Sequence, residues 1–224
     1  DFIGHQTGVN INETRDYHRY LGGSPTNVAM NSARLGLKSV LVAAVGNDAF
    51  GEYVFKRLEE VGVDTKYIKT VEGKPTSVIF VSRTESTPDF IPFREADYRI
   101  TQNQVNKHIL EDTTIFHTTC FALSKDPAQT TILRKAEEAY NLGCTLSIDV
   151  NYAKKLWDSQ AQALKVIKAY CKFDPLVKIS EDDMLRLFEE ELSHDEIFNF
   201  FHSEGVGTVC LTLGSRGVKL SQKG

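Results

Sequence analysis

The sequence predicts an α/β fold: a doubly wound, mainly parallel sheet flanked by helices, with a small extra β layer. Three observations lead there. Helices with an apolar face alternate with short strands that are apolar almost throughout, as strands covered on both sides should be. Glycines close several of those helices, where they take up the left-handed stop without strain. Near the N-terminal half, consecutive strands interrupt the alternation.

Taken in order, Ser24 is a natural N-cap and Pro25 fits the first helical position, where its missing N–H costs nothing. That helix runs to about Leu35, sets Ala29 and Ala33 on one face, and stops at Gly36. Val40 to Val45 follows as a buried strand, and Phe50 to Val61 as a helix closed by Gly62. Thr76 to Arg83 and Phe90 to Arg94 have period-2 character, with a turn at Ser86 to Asp89. With the polar segment Gly4 to Leu21 they form the extra β layer, either a flap over a ligand or an antiparallel edge of the main sheet. Asp126 and Pro127 open a helix that ends at Gly143, and Thr145 to Asp149 is the strand after it. A helix near Ser159 to Lys172 leads to a strand at Leu176 to Ser180. Ser193 and Glu196 form a capping box ahead of Ile197, Phe200 and Phe201. Thr208 to Leu213 and Val218 to Ser221 read as strands joined by Gly214-Ser215-Arg216-Gly217. Right-handed crossovers then give a mainly parallel sheet.

The 224 residues are 41 % hydrophobic and 25 % charged, enough for one large domain with its own core and no metal or disulfide staples. A net charge of −4 argues against a basic nucleic-acid face. The longest apolar run, Val40 to Val45, is far short of the roughly 20 residues of a membrane span. No basic-then-apolar leader opens the chain, so a cytoplasmic location is expected. Cys120, Cys144, Cys171 and Cys210 form no CxxC pair and read as core thiols of a reducing compartment.

In an open parallel sheet, ligands gather at the carboxyl ends of strands. Gly46-Asn47-Asp48, Asp149-Val150-Asn151, Ser180-Glu181-Asp182-Asp183 and Thr212-Leu213-Gly214 occupy those ends. Each is explicable alone as turn or cap chemistry, and Asp48 could simply cap the helix after it. Four on one edge make a polar crevice. In Gly22-Gly23-Ser24-Pro25-Thr26-Asn27, two glycines let backbone approach a ligand, and Asn27 can reach a hydroxyl from the first helical turn. A Walker-type GxxxxGK[ST], a GxGxxG and a G-x-S-x-G elbow are all missing.

Gly22 to Ala29, continuing through Ala33-Arg34-Leu35-Gly36, resembles the N-terminal signature of the ribokinase (PfkB-type) carbohydrate kinases. Gly46 to Gly51, Gly62 to Thr65, Asp149 to Asn151 with Trp157, Lys178 to Asp183 and Thr212 to Gly217 continue that resemblance in order along nearly the whole chain. It implies a ribokinase-like fold over residues 1–224, with lid strands at about 4–21 and 68–100. It also implies transfer of the γ-phosphate of ATP to a sugar hydroxyl with Mg²⁺, a monovalent cation as a further ion, and a homodimer clasped through the lid. By resemblance, Asp1, Gly22, Gly23, Asn27 and the lid residue Arg94 hold the sugar. Ser180, Thr212, Gly214 and Gly217 hold the nucleotide, and Asp149, Asn151 and Asp183 lie near Mg²⁺ and phosphate. No nucleic-acid or membrane partner is implied.

Ser180 and Asp183 stand where many members of the family carry Asn and Glu, a conservative departure; two other departures matter more. Ala153 replaces the arginine of the family's Asp-x-Asn-x-Arg pattern, leaving Lys154 or Lys155 as substitute cations. The family's GAGD motif, with its catalytic aspartate, is not among the 224 residues, so the expectation is a fragment of a longer, active protein. Fructose, 2-keto-3-deoxygluconate and 5-dehydro-2-deoxygluconate all suit the pattern, with a fructokinase-like hexose kinase favoured. The alternatives are a catalytically inactive ribokinase-fold binding or regulatory protein, and an unrelated nucleotide-dependent oxidoreductase.

Overall fold

The computed structural model describes residues 1–84 and 89–223; the turn expected at Ser86 to Asp89 lies, but for Asp89, outside them. The chain forms two compact units, Asp1–Ile100 and Thr101–Gly224.

The first unit contains β1 (Phe2–Thr7), β2 (Tyr17–Arg19), α1 (Ser24–Arg34), β3 (Ala43–Gly46), α2 (Ala49–Glu59), β4 (Ile68–Val71), β5 (Val78–Arg83) and β6 (Phe90–Phe93). The extra β layer is a sheet of its own, ordered β2-β1-β5-β6. β1 runs antiparallel to β2 but parallel to β5, and β5 and β6 are antiparallel. A parallel pair, β3 and β4, is bracketed by α1 and α2 around Met30, Leu41, Val45, Leu58, Val63 and Ile68.

Two expectations are corrected here. The buried strand is Ala43–Gly46, not Val40 to Val45. Its ladder starts at Ala43 opposite Ile68, whose N–H is turned back onto Thr65 O (3.0 Å). Val40 therefore keeps only an isolated bridge to Asp64. Ser24 is the first helical residue rather than the N-cap, which is Gly23 at φ 99° and bears no side chain to cap with. The turn into α1 needs that positive φ, and only glycine takes it without strain.

The second unit contains α3 (Lys107–Glu111), β7 (Ile115–Thr119), α4 (Ala128–Asn141), β8 (Thr145–Asp149), α5 (Gln160–Cys171), β9 (Leu176–Ser180), α6 (Glu181–Phe188), α7 (His194–Ser203), β10 (Thr208–Thr212) and β11 (Val218–Gln222). Its sheet runs β11-β10-β9-β8-β7, parallel except for the antiparallel edge strand β11. The inward residues Leu146, Ile148, Val177, Ile179, Val209 and Leu211 are buried under helices that bury Ala139, Ile167, Leu187 and Phe201. Ser193 with Glu196 closes the capping box of α7, as the sequence predicts, and Ser159, read only as the start of a helix, is the N-cap of α5. β10 ends one residue early because Leu213 N–H turns onto Gly217 O (2.9 Å). The short helix α6 is an element the sequence pattern does not announce. The four cysteines are unpaired with one another; Cys120, Cys144 and Cys171 are buried core thiols, and burial pushes Cys171 up to about 12, whereas Cys210 is only half-buried.

Candidate active site

In the first unit the chain brings Asp1 onto the glycine turn. Tyr20 N–H donates to Asp1 O (2.8 Å), which folds β1 and the segment after β2 together. The Asp1 carboxylate then lies so close to Gly22 that a Cβ there would stand 1.9 Å from Oδ2. Asn27 N–H donates to Gly23 O (2.9 Å), and the Asn27 side chain is exposed at the N-terminal turn of α1. Asp1, Gly22, Gly23 and Asn27 are thus gathered at one end of one helix: a carboxylate and an amide of the kind that hold sugar hydroxyls.

Arg94, at the end of β6, is differently placed. Its Nε and Nη2 both reach Asp97 Oδ2 (2.8 and 2.6 Å), its side chain is only 9 % exposed, and its guanidinium lies 5.9 Å from the Tyr98 ring centre. Ser77 Oγ–H donates to Asp97 Oδ1 and accepts the N–H groups of Glu95 and Asp97, which fixes that carboxylate. Sequence reading missed Ser77 and Asp97.

Asp48 is the helix cap that its bland reading describes. Oδ1 accepts from the N–H groups of Phe50 (3.0 Å) and Gly51 (2.9 Å), and from the Thr76 hydroxyl (2.7 Å), while Oδ2 accepts Thr76 N–H (2.7 Å). Burial would raise its pKa, but these bonds hold it below the usual carboxylate range.

In the second unit the carboxyl ends of β8, β9 and β10 collect the remaining candidates. Thr212 pairs across the ladder with Ser180, and Asp149 with Lys178. Lys178 Nζ lies 2.9 Å from Asp149 Oδ1 and 4.0 Å from Asp183 Oδ2, so one ammonium bridges both carboxylates. Asp183, buried, takes Arg186 on Oδ1 (2.7 Å) and the Ser180 hydroxyl on Oδ2 (2.6 Å), while its N–H donates to Ser180 Oγ (3.0 Å) and Oδ2 accepts Ser180 N–H (3.4 Å) in the capping box of α6. Asn151 Oδ1 accepts Phe121 N–H (3.4 Å). Gly214 and Gly217 take φ values of +59° and +95° in the turn between β10 and β11.

Lys154, one of the two cations offered in place of Ala153, is turned to Glu189 (2.7 Å). Lys178 was missed as the cation among the carboxylates. Its signal was the alternation of β9, which sends Val177 and Ile179 inward and Lys178 and Ser180 to the other face. Arg186 was readable as the partner three residues after Asp183 on one helix. Among the described residues, no cluster of three or more His, Cys, Asp or Glu side chains forms a metal site.

The pfkB family carbohydrate kinase model matches residues 1–224. The chain belongs to that family. It is 32 % identical over 209 residues to an ATP-dependent 6-phosphofructokinase of Thermoanaerobacterium thermosaccharolyticum, covering 93 % of this chain and 64 % of the relative. It is 27 % identical to probable fructokinase-3 of Arabidopsis thaliana, covering 97 % of this chain and 64 % of the relative. These curated relatives are therefore matched over somewhat less than two thirds of their length. The fructokinase of Halothermothrix orenii superposes with a TM-score of 0.90 at 32 % identity, over 98 % of this chain and 78 % of that one. A sugar kinase of Pyrococcus horikoshii, solved in complex with ATP, gives 0.83 at 28 % identity, over 99 % and 70 %. The fold of this family member is accordingly ribokinase-like, with parallel-rich sheets flanked by helices. None of its described helices is long and apolar enough to cross a membrane.

Proposed function

We propose that the protein carrying this chain phosphorylates a hydroxyl of a fructose-like hexose or a keto-deoxy sugar acid with ATP. The observation that carries the reading is the packing of Asp1 against Gly22 beside Asn27. Residues far apart in sequence meet where the family resemblance asks for a sugar, and a side chain at Gly22 would displace the carboxylate. Asp1 and Asn27 bind and orient the acceptor, with the bare backbone of Gly22 and Gly23 allowing close approach. Arg94, braced by Asp97, acts as a fixed cation of the lid rather than a flexible one.

Thr212, Gly214, Gly217 and Ser180 hold the nucleotide at the carboxyl ends of β9 and β10. Lys178 supplies the phosphate-facing charge that Ala153 cannot. Asp149, Asn151 and Asp183 would offer Mg²⁺ hard oxygen donors, each already engaged (by Lys178, by Phe121 N–H, and by Arg186 with Ser180), so the ion would have to displace those partners. When bound there it would neutralise charge on the transferring phosphoryl group. Ile91 and Phe93, exposed on the four-stranded sheet, support pairing of that sheet with a second copy, which light scattering would detect.

The test is sugar-dependent ADP release by the intact gene product across a panel of hexoses and sugar acids, with Arg94→Ala alongside. Turnover with one sugar class and a raised KM in Arg94→Ala support the reading; an unchanged KM for every acceptor removes Arg94 from the pocket. A second reading, a kinase-fold protein that binds ligands without turnover, is favoured by Ala153 and by the turning of Lys154 to Glu189. Sugar and ATP binding with no ADP release would select it.

A further inference from the structure

We propose that Glu181 is a positioning residue for the nucleotide loop: by holding Arg216, its carboxylate sets the conformation in which residues 212–217 receive ATP. This rests on the reading above, in which that loop takes the nucleotide. Glu181 is the first residue of α6, directly after Ser180, whereas Arg216 lies in the turn between β10 and β11, 35 residues on. Glu181 Oε2 accepts from Arg216 Nη2, and Oε1 lies 2.9 Å from His194 Nε2. Lys219 Nζ donates to His194 Nδ1 (2.8 Å), which leaves Nε2 to carry the proton it gives to Glu181. Side chains from α6, α7, β11 and the loop thus form one connected chain with Glu181 at its centre.

The loop leans on this anchor because its own bonds are internal. The N–H groups of Leu213, Arg216 and Gly217 go to Gly217 O, Leu213 O and Gly214 O. Gly214 and Gly217, both at positive φ, fix the shape of the turn but do not tie it to the helix beside Ser180. The pull of His194, opposed by burial and reinforced by Arg216, keeps the Glu181 carboxyl below its usual range, so it is ionised at neutral pH. Arg216 is 66 % exposed, and ion pairs so exposed contribute little to folding. Losing the contact should therefore register in nucleotide affinity rather than in stability.

The experiment compares wild type, Glu181→Gln, Glu181→Asp and Arg216→Ala in the intact gene product, by steady-state kinetics and by calorimetric titration of ATP. Glu181→Gln is expected to raise the KM and Kd for ATP by about three- to fivefold, with kcat and sugar KM within about twofold of wild type. Glu181→Asp should recover part of the loss, and a Glu181→Gln/Arg216→Ala double variant should be no worse than the poorer single variant. Unchanged ATP affinity in a Glu181→Gln protein with native circular dichroism overturns the proposal, as does an equal rise in sugar KM. Failure of wild type to bind ATP would instead overturn the nucleotide reading of the loop, and this inference with it.

Discussion

The two larger sheets of this chain are held together in different ways. In the five-stranded sheet, Val177, Ile179, Val209 and Leu211 are wholly buried, and the strands survive by burial under helices. In the four-stranded sheet, no residue of β6 is buried, and Ile91 and Phe93 stand 43 % and 58 % exposed. Its cohesion comes from lateral ring contacts instead: Phe2 stacks on Phe80 at 5.0 Å, and Tyr17 and Phe93 meet the same ring edge-on at 5.1 and 5.9 Å. The five-stranded sheet has an open edge as well, in β11, where Val218 and Leu220 are 59 % and 63 % exposed, but its inner strands β8, β9 and β10 bury every second residue under helices and offer their carboxyl ends. The two groups of candidate residues follow that division.

The sharpest way to break this contrast is to remove the same kind of mass from each sheet. Leu211→Ala should cost about 2–5 kcal/mol, because the void is enclosed. Phe93→Ala should change denaturant stability by less than about 1 kcal/mol despite the larger side chain lost, since water already reaches it. Comparable losses in urea unfolding would show that the open sheet is as sealed as the other.

Asp48→Ala comes next, at about 1–2 kcal/mol, as α2 loses its cap and Thr76 its partner just ahead of β5. The smallest effect is acid dependence. Burial holds His117 below the ordinary histidine range, against the pull of Asp149, so the fold prefers the neutral ring. Below about pH 6.5 the unfolded chain takes up that proton first and stability declines, a slope that His117→Gln should flatten. Asp48 has the opposite kind of charge but the same sign of effect. Its contribution is complete above about pH 4 and disappears as pH falls through its lower folded value. Unfolding curves between pH 3 and pH 8 would therefore separate the two.

The same contrast explains what the sequence made legible. β8 and β9 were readable to the residue because apolar residues recur at every second position, Leu146 and Ile148 in one and Val177 and Ile179 in the other, and because Gly143 punctuates the chain ahead of β8. The β1–β5 pairing was not, because a parallel contact between strands some 75 residues apart leaves no local trace. At the site, Gly22, Gly23 and Asn27 stood out through glycine spacing. Asp97, Lys178 and Thr76 did not, because a bracing residue is defined by what it touches across the fold. Val40 misled because an apolar run says that a segment is buried, not that a ladder partner exists for it.

Asn27 bears most directly on the central claim, that a sugar sits at the start of α1. In the intact gene product, Asn27→Ala should raise the KM of the phosphorylated sugar by about fivefold or more, the loss of one hydroxyl partner, with the KM of ATP unchanged. A folded Asn27→Ala protein with wild-type sugar KM, or a wild type that turns over ATP with no carbohydrate acceptor, would contradict it.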